Sequence, residues 1–179
     1  MATRAAKKII IIAGPNGAGK TTFAKGYLKS EVAIPTFINA DEIAAAISKC
    51  GAKKVAIEAG RAMLAQIAQR VSQGKSFAFE TTLSGLIYAL AIPRWQAAGY
   101  HVKLIFLSLP NPEMAIARVA ARVAQGGHHI EEAVIRRRFT KGWKNFQKRY
   151  KLIVDAWVHY DNSSTPPVLK SQGVRHEAS

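Results

Sequence analysis

The chain has 179 residues, enough for one domain with a sizeable core, and its single cysteine, Cys50, excludes an internal disulfide. Lysine and arginine number 26 against 11 aspartates and glutamates, a formal charge of +15 that attracts anions of any kind, whether nucleotides, phosphorylated sugars or nucleic acid. The same excess also fits plain solvated surface, or an acidic protein partner that neutralises it. Residues 1–8 are short and basic and are followed by only five apolar residues, too few for a signal peptide or a membrane span, so a cytoplasmic location is expected.

The apolar run at residues 9–13 reads as a buried strand, and residues 21–30 as a helix. Between them, Gly14, Pro15, Asn16, Gly17, Ala18, Gly19, Lys20, Thr21 and Thr22 satisfy the phosphate-loop pattern G-x-x-x-x-G-K-[ST]. Its glycines let backbone N–H groups point inward as a nest, and the following helix adds its positive end. Lys20 is placed to reach the β- and γ-phosphates of ATP, and the Thr21 hydroxyl to join the shell of a Mg2+ ion.

Residues 35–40 read as a short second strand, followed by a helix over 43–48 with Asp41 near its N-cap. Asp41 thereby falls just past the end of a strand, the edge where open α/β sheets hold ligands, although capping alone would also explain an aspartate there. A long helix over 53–73 carries an apolar stripe of Val55, Ala59, Met63, Ile67 and Val71. The next strand, 76–79, delivers Glu80, Thr81 and Thr82 to the same edge. A carboxylate and two hydroxyls are poor choices for packing and suit metal-bound water or a sugar hydroxyl; the alternative is a cap for the helix over 86–98, which Pro93 is expected to kink or divide.

Residues 100–109 form a central strand that ends at Pro110-Asn111-Pro112, with Pro112 in the first turn of the next helix. Arg118 and Arg122 lie four apart on that helix and share a face. His128 and His129 lack a helical metal spacing and read as loop. A basic helix spans 130–150, and its consecutive Arg136, Arg137 and Arg138 diverge by about 100° each, so they cannot share one target. Trp143, Phe146 and Tyr150 recur at helical spacing as a core-facing stripe. A strand at 157–161, an edge strand at 167–170 and a fraying tail over 171–179 complete a single domain covering residues 1–179.

In this order the phosphate loop, Asn39-Ala40-Asp41-Glu42, Phe79-Glu80-Thr81-Thr82-Leu83-Ser84-Gly85, Arg118 to Arg122, Gly126-Gly127-His128 and Arg136-Arg137-Arg138 resemble the short, single-domain members of the zeta toxin family. The resemblance implies an α/β P-loop kinase fold with a mostly parallel central sheet flanked by helices. It implies a kinase that uses ATP and magnesium to phosphorylate a hydroxyl of a sugar nucleotide such as UDP-N-acetylglucosamine. On that basis Lys20 and Thr21 hold phosphate and metal, and Asp41 takes the proton from the acceptor hydroxyl. Glu80 lies in the substrate pocket, and Arg118 or Arg122 stabilises the transferring phosphoryl group. A second arginine would come from positions 136–138, and an antitoxin protein is a possible partner. The charge of +15 keeps open a nucleic-acid-linked P-loop ATPase or a polynucleotide or nucleoside kinase.

Overall fold

The computed structural model describes residues 7–30, 34, 36–47 and 52–175, so Cys50 and residues 176–179 lie outside the described part. Six strands form one sheet in the order β2-β3-β1-β4-β5-β6. They are β1 Lys7–Ala13, β2 Phe37–Ile38, β3 Phe77–Thr81, β4 Tyr100–Ser108, β5 Ala156–Asp161 and β6 Val168–Val174. The first five run parallel, and only β6 returns antiparallel along β5. The helices are α1 Lys20–Ser30, α2 Ala40–Ile47, α3 Ala52–Ser72, α4 Ile87–Ala97, α5 Pro112–Ala124 and α6 Glu132–Asn145. A π turn, Phe146–Tyr150, and the short α7, Lys151–Ile153, prolong α6.

Side chains alternate across a strand, and β1 is buried on both faces, so each parity feeds a different core. Ile9, Ile11 and Ala13 pack with Met63, Ile67, Ile92, Trp95, Phe146 and Tyr150, which seats α3, α4 and the π turn on one face. Ile10 and Ile12 pack with Ala24, Ala115, Val119 and Ile135, which seats α1, α5 and the start of α6 on the other. This is the α/β architecture of a P-loop kinase, with the phosphate loop at the carboxyl end of the central strand β1. Among the described residues no helix is long and apolar enough to cross a membrane.

The structure departs from the sequence expectations at several places. The second strand shrinks to Phe37–Ile38. Asp41 is not a cap: α2 starts at Ala40, and the Asn39 side chain accepts the Asp41 N–H at 2.7 Å. Pro93 does not divide α4, which runs through it from Ile87 to Ala97. Residues 171–174, expected to fray, pair along β5, because Trp157 to Asp161 leave an open edge that their backbone completes. Of the aromatic stripe, Phe146 and Tyr150 are fully buried, whereas Trp143 at the rim keeps 39% of its surface exposed.

Candidate active site

The phosphate loop must turn the chain between the end of β1 and the start of α1. Gly17 and Gly19 do this with φ of +78° and +77°. A side chain on Gly17 would sit 2.7 Å from the Ala115 carbonyl oxygen, so the loop rests on α5 with no room for a Cβ. The Gly14 N–H donates to the Thr81 carbonyl at 3.2 Å and ties the loop to the end of β3. Lys20 is buried, and its Nζ donates to the carbonyls of Gly14 and Pro15 at 3.1 and 3.0 Å. Burial pushes the Lys20 pKa down, while the charges of Glu80 and Asp41 oppose that shift.

Glu80 stands beside Ile12 in the β1–β3 register, at the end of its strand. The Thr21 hydroxyl donates to Glu80 Oε2 at 2.9 Å, and Asn39 Nδ2 donates to Thr21 Oγ1 at 3.3 Å. Burial raises the Glu80 pKa, and the Lys20 ammonium works against that rise. Asp41, from the first turn of α2, faces Arg122 of α5 at 3.4 Å. Asn39 joins the two pairs, its Nδ2 donating to Thr21 Oγ1 and its Oδ1 accepting the Asp41 N–H, so Lys20, Thr21, Glu80, Asp41 and Arg122 are brought together at the carboxyl edge of the sheet, with Arg138 also close enough to bear on the Lys20 charge. A hydroxyl and a carboxylate, both hard oxygen donors, fit magnesium, which is commonly held by few protein ligands plus substrate phosphates.

Thr81 and Thr82 use their hydroxyls locally. Thr81 Oγ1 accepts the Leu83 N–H at 3.1 Å, and Thr82 Oγ1 lies 3.0 Å from Ser84 Oγ. Leu83 takes a φ of +54°, a conformation that costs a side-chain-bearing residue about 1–3 kcal/mol. The Thr81 hydroxyl on one side and Asn145 Nδ2, donating to the Leu83 carbonyl at 2.7 Å, on the other hold it there.

The two arginines of α5 part company. Arg118 donates to the carbonyls of Asn162 and Ser163, both at 2.9 Å, and to Gly17 at 3.5 Å, pinning the β5–β6 loop to the phosphate loop. It lines a cavity of about 550 Å³ with Phe23, Tyr27, Tyr160, Asn162 and Pro167, away from Asp41. Of the two, only Arg122 pairs with the Asp41 carboxylate. From the arginine triplet, Arg138 is half-buried and its NH1 donates to Asn16 Oδ1 at 3.4 Å. Arg136 instead bonds Glu113 and Glu132 on the outer surface, and Arg137 faces solvent.

Two polar residues were not singled out individually in the sequence. Asn39 orders both Asp41 and Thr21. Asn162 Nδ2 donates to the Ala18 carbonyl at 2.6 Å and fills the space where Gly19 has no side chain. Asn162 directly follows a strand end, the same edge rule that pointed to Asp41 and Glu80.

Comparison with known proteins agrees with this architecture. The zeta toxin family model matches residues 1–166. An uncharacterized protein of Haemophilus influenzae is 30% identical over 132 residues, which is 74% of this chain and 92% of that protein. The PezAT toxin–antitoxin structure of Streptococcus pneumoniae superposes with a TM-score of 0.69 at 16% identity, covering 96% of this chain and 73% of that one. The AvrRxo1-ORF1:-ORF2 complex with ATP gives 0.76 at 15% identity, covering 94% of this chain and 59% of that one. The two structural likenesses show the shared fold, and the family match covers nearly the whole sequence: this chain is a member of the zeta toxin family.

Proposed function

We propose that the protein is an ATP-dependent phosphotransferase that moves the γ-phosphoryl group to a hydroxyl of a sugar nucleotide of the UDP-N-acetylglucosamine type. The observation that carries this reading is the convergence of Lys20, the Thr21–Glu80 pair and the Asp41–Arg122 pair, joined through Asn39, at one point of the sheet's carboxyl edge. The nucleotide reading is supported by the likeness to a complex solved with ATP.

In this scheme the loop amides and Lys20 hold the β- and γ-phosphates, and the cavity beside Phe23, Tyr27 and Arg118 takes the base. Thr21 and Glu80 would hold magnesium, which when bound offsets charge on the phosphates. Asp41 accepts the proton of the acceptor hydroxyl as its oxygen bonds to the γ-phosphorus. The bond from that phosphorus to the β–γ bridging oxygen breaks, and ADP leaves with the bonding pair. Arg122 and Arg138 face the charge spread over the three equatorial oxygens. Thr82 and Ser84, adjacent hydroxyls on the loop after Glu80, offer hydrogen bonds to the acceptor.

The test is incubation with γ-labelled ATP and a panel of sugar nucleotides, nucleosides and RNA 5′ ends. Label in a sugar nucleotide, lost in Asp41→Asn, supports the reading; label in RNA ends alone contradicts it. The PezAT likeness and the charge of +15 also support an acidic antitoxin as partner, which co-purification with a small acidic protein from the native host would reveal.

A further inference from the structure

A second cavity, of about 310 Å³, adjoins the phosphate loop and has no part in the scheme above. Consecutive residues of β5 point to opposite faces of the sheet: His159 lines this cavity, and Tyr160 lines the one given to the ATP base. Pro15 of the loop, Phe106, Phe139 and Trp143 form apolar walls, with Ser108 and His159 among them. Trp143 packs on Phe106, Phe146 and His159 and still keeps 39% of its surface exposed. Phe139, one turn earlier on α6, brings a second ring to the same space.

His159 Nε2 and Ser108 Oγ lie 2.8 Å apart, and Ser108 gives its single proton to the Tyr160 carbonyl at 3.2 Å. Ser108 therefore accepts from Nε2–H, which leaves Nδ1 as a bare lone pair. Burial holds the His159 pKa down, and Lys151 and Lys170 add to this against the pull of Asp161, so the ring stays neutral and the lone pair persists. His159 is only 9% exposed, yet no described residue donates to Nδ1. Every fully buried side-chain nitrogen and oxygen among the described residues has a partner, so Nδ1 opens onto free space, and the cavity supplies it.

Aromatic walls and one lone pair select a flat, uncharged ring that carries an N–H. A phosphate finds no lysine or arginine among the described residues lining the cavity, and a purely apolar ring would leave Nδ1 unpaired. A single-ring base with its N–H between two carbonyls meets both conditions. The other cavity, at about 550 Å³, has room for the larger purine.

The cavity lies at the ends of β4 and β5, whereas Asp41 follows β2, three strand spacings or about 14 Å from β4. A ring held here meets the reacting centre only through a linker of that length. Arg138, the residue before Phe139, reaches Asn16 just after β1, a strand that lies between β4 and β2. Its guanidinium stands where a diphosphate linker crosses.

We propose that this cavity binds the uracil-type ring of the acceptor, stacked on Trp143 with its ring N–H donated to His159 Nδ1. The role as an acceptor site rests on the sugar-nucleotide reading above; occupancy by the ring does not.

The experiment is an NMR titration of the full chain with uridine, which carries no phosphate for the loop, read through the indole N–H signals of Trp95, Trp143 and Trp157. The Trp143 signal, identified by its loss in Trp143→Leu, is expected to move, while that of Trp95, buried in α4, stays. Saturating MgADP should not displace the uridine. 3-Methyluridine, which lacks the ring N–H, should bind at least about fivefold more weakly, as should uridine to His159→Phe, each having lost one neutral hydrogen bond. An unmoved Trp143 signal, displacement by MgADP, or equal binding of uridine and 3-methyluridine would overturn the proposal. The last comparison needs no variant, should His159→Phe not fold.

Turnover separates this site from the reading it rests on. With a uridine sugar nucleotide as acceptor, His159→Phe should raise the acceptor KM about fivefold without a matching fall in kcat. Label transfer with that KM unchanged would overturn the site and leave the phosphotransferase reading standing. Uridine bound as expected, with no label in any uridine sugar nucleotide, would remove the acceptor role and the sugar-nucleotide reading with it.

Discussion

Replacing Lys20 by methionine separates what that ammonium does for the fold from what it does for the nucleotide. The side chain is buried, and its charge is offset by two carbonyl hydrogen bonds at 3.1 and 3.0 Å and by Glu80 and Asp41 at longer range. Hydrogen bonds from a charged donor contribute about 1.5–3 kcal/mol each, while burying an ammonium costs several kcal/mol. The two effects nearly cancel, so a neutral chain of the same length should leave the melting temperature within about 4 °C of wild type, or raise it.

The lowered pKa gives the sign of the pH effect. Between the folded value and the ordinary 10.5, the unfolded chain binds more protons at this site, so wild-type stability gains as pH rises through that window; the variant lacks the gain. ATP affinity should behave in the opposite way. Loss of a desolvated cation against the β- and γ-phosphates is worth about 2.7 kcal/mol or more, a hundredfold in Kd. Calorimetric titration with MgATP and a thermal melt read both quantities. A Kd within about threefold of wild type would refute the assignment of Lys20 to the phosphates, and a melting point lower by about 8 °C would refute the near-cancellation of its two effects on the fold.

Three further outcomes follow from the cleft. Asp41→Asn removes only a half-exposed contact with Arg122, so folding and ATP affinity should stay near wild type while transfer slows about 10²-fold or more; a matching loss of ATP affinity would give Asp41 another role. Arg118→Ala frees the β5–β6 loop and should raise the nucleotide Kd, whereas Arg122→Ala should lower kcat with little change in that Kd; steady-state kinetics alongside titration distinguishes them, and identical effects would contradict the division of the two arginines. Burial raises the Glu80 pKa, so its contribution to stability is present in acid and is lost as pH rises from about 4.5 through the folded value; Glu80→Gln should flatten that limb of the melting curve, and an unchanged limb would contradict the burial of the carboxylate.

The parts of the site that were legible in the sequence are those whose chemistry is local. The phosphate loop announces itself because glycine, lysine and hydroxyl are needed at fixed offsets, and Asp41 and Glu80 because each follows a strand at the edge where parallel sheets bind ligands. What stayed hidden depends on approach in space. Arg118 and Arg122 are one turn apart and look equivalent, and only the position of the β5–β6 loop gives one to Asn162 and the other to Asp41.

The arginine triplet likewise resolves only when α6 packs on the phosphate loop and turns Arg138 toward Asn16. Leu83 gives no sign in its residue type of the φ of +54° that Thr81 and Asn145 impose. β6 runs past the expected edge strand over 167–170 because Lys170, Ser171, Gln172 and Gly173 are weak strand formers whose pairing comes from the open edge of β5 rather than from their own propensity.

The most direct measurement is phosphorus NMR of the protein with MgATP and the acceptor that takes label best. A phosphomonoester resonance that grows one-for-one with ADP, and is absent from the Asp41→Asn reaction, is the expected result. Inorganic phosphate growing with ADP in place of any ester would mean that the cleft activates water, and the phosphotransferase reading would fall.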